Sequence, residues 1–351
     1  MSVLNLIRPD LLKMNAYVPS GDMLNCRLHA NELPWAPISV DNIALNHYPQ
    51  ATQQQELQDQ MAHYYFVESE QMLLTRGSDD GIDLIMRLFL RAGLDSILQC
   101  TPTFPMYSFY AQLQQAEVIN CPLDMDNEFS LSVDKLISLW QPNCKLIMLC
   151  RPNNPTGNTL DLTTIASLCD HFTNKAVIVV DEAYIDFAAT GSAISLLSSF
   201  DNLIILRTLS KAYGLAGLRL GTLIAQPQLI QTLQNILPPY TLPSVVIDLA
   251  KRALANKDWF AANIARILDL RSQLIEQLEQ SPWIETIYPS ATNFVLVTSP
   301  HATTLATWFA ELGVAVRHFA TLPQMSNMLR ITVGDETQNR RLFAALSSFS
   351  A

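Results

Sequence analysis

A chain of 351 residues, 49% of them apolar and with a formal net charge of −10, can bury a large core and is ill suited to holding nucleic acid. No run of Lys or Arg offsets that charge locally, and no apolar run approaches the roughly 20 residues that cross a bilayer. Six cysteines at positions 26, 100, 121, 144, 150 and 169 form no C-x-x-C pair and the six histidines show no paired ligand spacing, so neither cysteine chemistry nor a metal is expected. The first ten residues contain no apolar stretch followed by a cleavage site, and we expect a soluble protein of the cytoplasm.

Residues 1 to about 40, with Pro9, Pro19, Pro34 and Pro37, predict an extended arm. Within it Tyr17 and the run His29-Ala-Asn31-Glu32-Leu-Pro34 either reach a site or stay in solvated loop. Tyr48, in the turn His47-Tyr-Pro49, is an exposed aromatic or a ring that packs the turn. From Thr52 to Tyr65 the pattern, with Leu57, Met61 and Tyr64 on one side, predicts an amphipathic helix. A strand over 71–75 then runs into Arg76-Gly-Ser-Asp-Asp-Gly81, and a helix carries Ile82, Ile85, Met86 and Phe89 at core spacing. Ser78 and Asp79 therefore stand at a helix N-terminus, where free N–H groups suit a phosphate, although Asp79 serves equally well as an N-cap. A strand over 96–100 ends in Thr101-Pro-Thr-Phe-Pro-Met-Tyr107, which holds Phe104 or Tyr107 at its end, either flat against a planar ligand or in the core.

The strand at 145–150 enters Arg151-Pro-Asn-Asn-Pro-Thr-Gly157, in which two prolines and a glycine hold Asn154 rigidly as a neutral donor. Ala176-Val-Ile-Val-Val180 predicts a fourth buried strand with Asp181-Glu-Ala-Tyr184 at its end. A carboxylate there is costly unless it meets a cation, and a pyridinium nitrogen would be one; Tyr184 could donate to the phenolate oxygen of the same ring. Leu203-Ile-Ile-Leu206 predicts a fifth strand. Just beyond it come Ser210, Lys211 and Arg219, suited to an amine that carries pyridoxal phosphate and two groups that grip its phosphate. The alternative is a solvated lysine on a loop before a Gly-spaced helix. Five strands separated by helical segments make a mostly parallel α/β sheet, with the ligand-bearing residues at strand ends. After Pro238-Pro-Tyr-Thr-Leu-Pro243 the pattern becomes α+β: one or two helices over 245–280, a strand over 291–297, a helix over 303–312, then strands at 314–317 and 328–333. We expect an arm at 1–40, a large domain at 41–245 and a small domain at 246–351.

Asn154-Pro-Thr-Gly157, Asp181-Glu-Ala-Tyr184 and Ser210-Lys211 with Arg219 eight residues on resemble, jointly and over nearly the whole chain, the fold-type-I pyridoxal-phosphate-dependent aminotransferases of the class-II group. Within them the sequence is most similar to the histidinol-phosphate aminotransferases, through Asn31-Glu32, His47-Tyr48-Pro49, Arg76-Gly-Ser-Asp79, Thr208-Leu-Ser-Lys211 and Leu329-Arg-Ile-Thr-Val-Gly334. The resemblance implies a mostly parallel seven-stranded sheet sandwiched by helices, plus a smaller α+β domain. It implies that Lys211 carries the cofactor, Asp181 pairs with its ring nitrogen, Asn154 and Tyr184 bond its ring oxygen, and Phe104 stacks on the ring. Ser78, Asp79, Ser210 and Arg219 would hold the cofactor phosphate, with Tyr48 reaching it from the second subunit of a homodimer. Tyr17, Asn31, Arg317 and Arg330 would bind substrate. The implied reaction is transamination between L-histidinol phosphate and 2-oxoglutarate, giving imidazole-acetol phosphate and glutamate. A threonine-phosphate decarboxylase and an aromatic-amino-acid aminotransferase of the same fold are the alternatives. The sequence departs from the commoner family pattern at Asp80, where Glu is usual, and at Phe104, where Tyr is frequent.

Overall fold

The computed structural model describes residues 26–28, 31, 51–237 and 241–350. The strands in chain order are β1 (Cys26–Arg27), β2 (Met72–Thr75), β3 (Ser96–Thr101), β4 (Glu117–Pro122), β5 (Cys144–Cys150), β6 (Val177–Asp181), β7 (Leu203–Thr208), β8 (Gly221–Ile224), β9 (Thr286–Ile287), β10 (Phe294–Thr298), β11 (Val314–Ala315), β12 (Arg317–His318) and β13 (Met328–Thr332). The helices are α1 (Ala51–Tyr65), α2 (Ser78–Phe89), α3 (Met106–Leu113), α4 (Val133–Leu139), α5 (Leu162–His171), α6 (Pro227–Gln234), α7 (Ser244–Ala255), α8 (Lys257–Glu279), α9 (Ala302–Glu311) and α10 (Glu336–Ser347).

Seven strands form one sheet in the order β2-β8-β7-β6-β5-β3-β4, in which β3 to β7 pair in parallel and β8 runs antiparallel to both of its neighbours. The central strands carry apolar cores, at 146–150, 177–180 and 203–206, because both of their faces are covered. In β5, Leu146, Met148 and Cys150 pack with α2, α3 and α6 on one side, while Ile147 and Leu149 pack on the other with α1, α4, α5 and α7; β6 and β7 divide their residues in the same way. Each fully buried Ile or Leu contributes about 1.5–3 kcal/mol, and the two-residue period gives both faces such residues.

A second sheet of four strands, β12-β13-β10-β9, is antiparallel, and β1 pairs in parallel with β11 beside it. The region expected to hold one or two helices over 245–280 holds two, α7 and α8, which meet at Asn256. The strand expected at 314–317 is two short ones, β11 and β12. β4 and β8 have no counterpart in the sequence reading. β4 is a mostly exposed or half-buried rim strand whose residues, Glu-Val-Ile-Asn-Cys-Pro, form no apolar run. β8 is four residues long and begins with glycine.

Candidate active site

The C-terminal ends of β3, β5, β6 and β7 converge, and the residues singled out in the sequence follow those ends. The phosphate end is built from glycine and backbone. Gly77 caps α2 at φ 80, leaving the first-turn N–H groups of Ser78 and Asp79 without intrahelical partners. Gly221 of β8 lies so close that a Cβ there would stand 2.5 Å from the Ser78 nitrogen and 2.6 Å from the Gly77 carbonyl carbon. The guanidinium of Arg219 closes the cradle. Its Nη1 donates to Ser210 Oγ at 3.3 Å and its Nη2 donates to Asp79 Oδ2 at 3.3 Å. Asp79 is therefore not the N-cap: Gly77 is, without a side-chain cap bond, and the Asp79 carboxylate is spent on Arg219. Burial pushes the Asp79 acid upward against the pull of that guanidinium. Asp80 turns back to accept from the Arg76 N–H at 3.0 Å and from its guanidinium. Ser210 also accepts from the Thr208 hydroxyl at 2.9 Å.

At the ring end, Asp181 is 3% exposed. Its Oδ2 accepts from Tyr107 Oη at 2.7 Å and its Oδ1 from the Ala183 N–H at 3.1 Å. Burial raises the acid to about 6 even though both hydrogen bonds favour the carboxylate. Among the described residues no Lys, Arg or His makes an ion pair with it. A buried carboxylate held by two donors, with no cation paired to it among the described residues, fits a ligand that brings its own. Of the two rings offered by the sequence, Tyr107 is fully buried and occupied with Asp181, whereas Phe104 is half-buried, edge-on to Tyr107 at 5.7 Å. Phe104 is thus the ring with a face to present.

Lys211 follows β7, and its Nζ stands 5.6 Å from the centre of the Tyr184 ring. Arg207, near it in sequence, is instead buried in an ion pair with Asp186 at 2.7 Å, with Glu182 at 3.7 Å and the Tyr65 ring beside it. Tyr184 packs edge-on against Phe294 at 5.3 Å, and its hydroxyl accepts from Asn31 Nδ2 at 3.0 Å. These groups fit pyridoxal phosphate: a lysine, a carboxylate in need of a cation, a phenol, and an anion cradle lined by backbone.

The face of the four-stranded sheet supplies the opposite wall. Arg330 lies directly across from Arg317 on one side and from Leu296 on the other. Its guanidinium carbon is 5.1 Å from the Phe294 ring centre and its Nη1 donates to Asn154 Oδ1. Two arginines side by side on neighbouring strands give this wall a positive character that suits an anion. Tyr17 and Tyr48 fall outside the described residues. Sequence reasoning missed the hold of Tyr107 on Asp181. It also missed Asn153, whose Nδ2 donates to the Pro102 carbonyl at 2.8 Å and whose Oδ1 accepts from Thr103 at 2.9 Å, tying two site loops together. Thr332 was missed as well, although the alternation of Leu329-Arg-Ile-Thr332 would have put it on the face of Arg330. Among the described residues no cluster of His, Cys, Asp or Glu could hold a metal ion, and no helix is long and apolar enough to cross a membrane.

The family model for aminotransferase class I and II matches residues 9–346. A Legionella pneumophila (strain Lens) protein named histidinol-phosphate aminotransferase 1 is 53% identical over 351 residues, spanning 100% of this chain and 96% of that protein. A Francisella philomiragia histidinol-phosphate aminotransferase is 35% identical, spanning 99% of this chain and 96% of its own length. Among solved structures, that of histidinol-phosphate aminotransferase from Sinorhizobium meliloti in complex with pyridoxal-5′-phosphate superposes with a TM-score of 0.86 at 22% identity, covering 97% of this chain and 96% of that one.

Proposed function

The chain belongs to the class I and II aminotransferase family, and from that premise we propose that it transfers the amino group of L-histidinol phosphate to 2-oxoglutarate, yielding imidazole-acetol phosphate and glutamate. The observation that carries the substrate reading is the cross-strand pair Arg317 and Arg330, a place for a phosphate in one half-reaction and a dicarboxylate in the other. Its cofactor is pyridoxal phosphate, which when bound supplies an electron sink for the charge left on the substrate carbon.

We propose the following division of labour. Ser78, Asp79 through its N–H, Ser210 and Arg219 anchor the cofactor phosphate, and Phe104 covers the ring. Asp181 keeps the ring nitrogen protonated, while Asn154 and Tyr184 donate to the ring oxygen. Lys211 Nζ would hold the cofactor and, when free, would be the base that removes the proton from the amine-bearing carbon and holds it for redelivery. Arg317 and Arg330, with Tyr17, bind the substrate phosphate. We further propose a large domain at 41–245, a small domain at 246–351, an arm at 1–40, and a cytoplasmic homodimer in which Tyr48 reaches the neighbouring site.

The test is a coupled glutamate-release assay over a small panel of amines with 2-oxoglutarate. Histidinol phosphate should give the highest kcat/KM. Carbon dioxide released from threonine phosphate without glutamate, or a preference for aromatic amino acids, would replace this reading. Lys211→Ala should abolish both turnover and the visible absorbance of the holoenzyme.

A further inference from the structure

Asn31 is 1% exposed and adopts φ 53, the left-handed region that non-glycine residues enter rarely, and Asn among the most often. Each of its polar groups has a partner. The backbone N–H donates to Thr332 Oγ1 at 3.2 Å, and the backbone carbonyl accepts from Asn293 Nδ2 at 3.1 Å. Its side-chain Oδ1 accepts from the Thr332 hydroxyl at 2.7 Å, and Nδ2 donates to Tyr184 Oη at 3.0 Å. The nearby segment is strapped down too, with β1 paired to β11 and the Leu28 carbonyl accepting from the Thr332 N–H of β13 at 2.9 Å. A costly backbone conformation held by this many bonds is the pattern of a residue kept in place for its side chain.

The chain of bonds has a direction. The Thr332 hydroxyl uses its proton on Asn31 Oδ1, which leaves Nδ2 as the end that meets Tyr184. An amide nitrogen can only donate, so Tyr184 Oη accepts there, and its own proton is turned away from Asn31. We propose that Asn31 is a positioning residue that acts through Tyr184, fixing the phenol as a hydrogen-bond donor toward the ring oxygen of the cofactor rather than touching the substrate itself. This rests on the proposed reading of the site, in which Tyr184 faces that oxygen. It assigns Asn31 a different role from the substrate contact implied by resemblance. It also makes the strength of the Tyr184 bond depend on the hold of Thr332, a β13 residue, on Asn31.

A tyrosine that donates to the ring oxygen draws negative charge from it. With the donor weakened, that oxygen shares the proton of the lysine-bound chromophore more tightly, and the pH midpoint of its visible absorbance change rises. In the full-length holoenzyme without any amino substrate, Asn31→Ala should raise the midpoint by roughly half a pH unit or more. Asn31→Asp has the same shape but accepts where Asn31 donates, so it draws the Tyr184 proton toward itself and should raise the midpoint at least as far. Both shifts should vanish in a Tyr184→Phe background, because Asn31 is held to act only through that hydroxyl. An unmoved midpoint in Asn31→Ala, or a shift that persists in Tyr184→Phe, overturns the inference. If the Asn31 variants do not fold, Thr332→Val, which removes the hydroxyl that orients the amide, must raise the midpoint in the Tyr184 background alone; a wild-type midpoint there overturns it equally. The measurement does not depend on which amine the enzyme accepts. A wild-type protein lacking the lysine-bound chromophore would refute the site reading, whereas a normal wild-type chromophore with an unmoved variant refutes only the role of Asn31.

Discussion

Arg330 and Asn154, 176 residues apart, are joined by a hydrogen bond from Arg330 Nη1 to Asn154 Oδ1. The bond occupies the acceptor end of the amide, so Asn154 has its Nδ2 donors left for a ligand. One arginine thus orients a residue proposed for the cofactor while standing across from Arg317 on the wall proposed for substrate.

Arg330→Ala should therefore weaken both partners unequally. Removing a buried, hydrogen-bonded charge from a phosphate costs about 2 kcal/mol or more, so kcat/KM for histidinol phosphate should fall by roughly 30-fold or more. Cofactor affinity should fall by less than about tenfold, since Asn154 loses an orienting partner but keeps its donors. Steady-state kinetics and fluorescence titration of the apoprotein measure the two; an equal loss in both would contradict the assignment of Arg330 to substrate.

Asp181 predicts a pH dependence. In the apoprotein the folded-state acid is raised to about 6 from 3.8, so the folded chain binds more protons than the unfolded one between those values and stability falls as pH rises through that window. The full effect is on the order of 3 kcal/mol. A bound cationic ring relieves it, so the gap in unfolding temperature between holo- and apoprotein should widen from pH 5 to pH 7. Asp181→Asn should remove that part of the widening while leaving any part due to the ligand's own phosphate. Differential scanning calorimetry of the four species decides it, and an equal widening in Asp181→Asn would count against the carboxylate.

The anion cradle is testable by a single methyl group. Gly221→Ala pushes a Cβ against the backbone of Gly77 and Ser78, which cannot yield as a side-chain tip would, so a destabilisation of about 1–3 kcal/mol and a loss of cofactor loading are expected. Gly217→Ala, in the same connection but with nothing within 4 Å of its added Cβ, should leave loading unchanged. Equal loading of both variants would show that the close approach of β8 does not shape the phosphate end.

Glu182 lies one residue beyond Asp181 and faces a different task. Its Oε1 accepts from Arg151 Nη1 at 2.9 Å and from the Ala193 N–H at 2.7 Å, its Oε2 bonds the Ser192 hydroxyl, and both it and Arg151 have fully buried side chains. Glu182→Gln leaves the Arg151 charge without its counterion in a dry setting and should lower the unfolding free energy by about 3–5 kcal/mol. A change below about 1 kcal/mol in denaturant titration would contradict the network's structural weight.

What could be read in advance was local. The runs at 145–150, 176–180 and 203–206 announced buried strands, and Asp181 and Lys211 stood out as candidates because one directly follows such a run and the other lies five residues beyond one. β4 was hidden because a rim strand need not be apolar. β8 was hidden because it opens on Gly221 and Thr222, leaving only Leu223-Ile224 as an apolar pair. The bonds that organise the site span the chain: Tyr107 to Asp181 across 74 residues, Asn31 to Thr332 across 301. No neighbouring residue records such a pairing, since it depends on how segments far apart in the chain pack together.

The reversal of β8 has a consequence for how the enzyme can move. Because β7 and β8 are antiparallel neighbours, the chain leaves the sheet at Thr208 and returns to it at Gly221, and that one excursion carries both Lys211 and Arg219. The amine and the guanidinium proposed to hold the cofactor are therefore mounted on a common bracket bolted at both feet. A shift of either foot therefore moves both groups together, so their separation is set by the β7–β8 pairing.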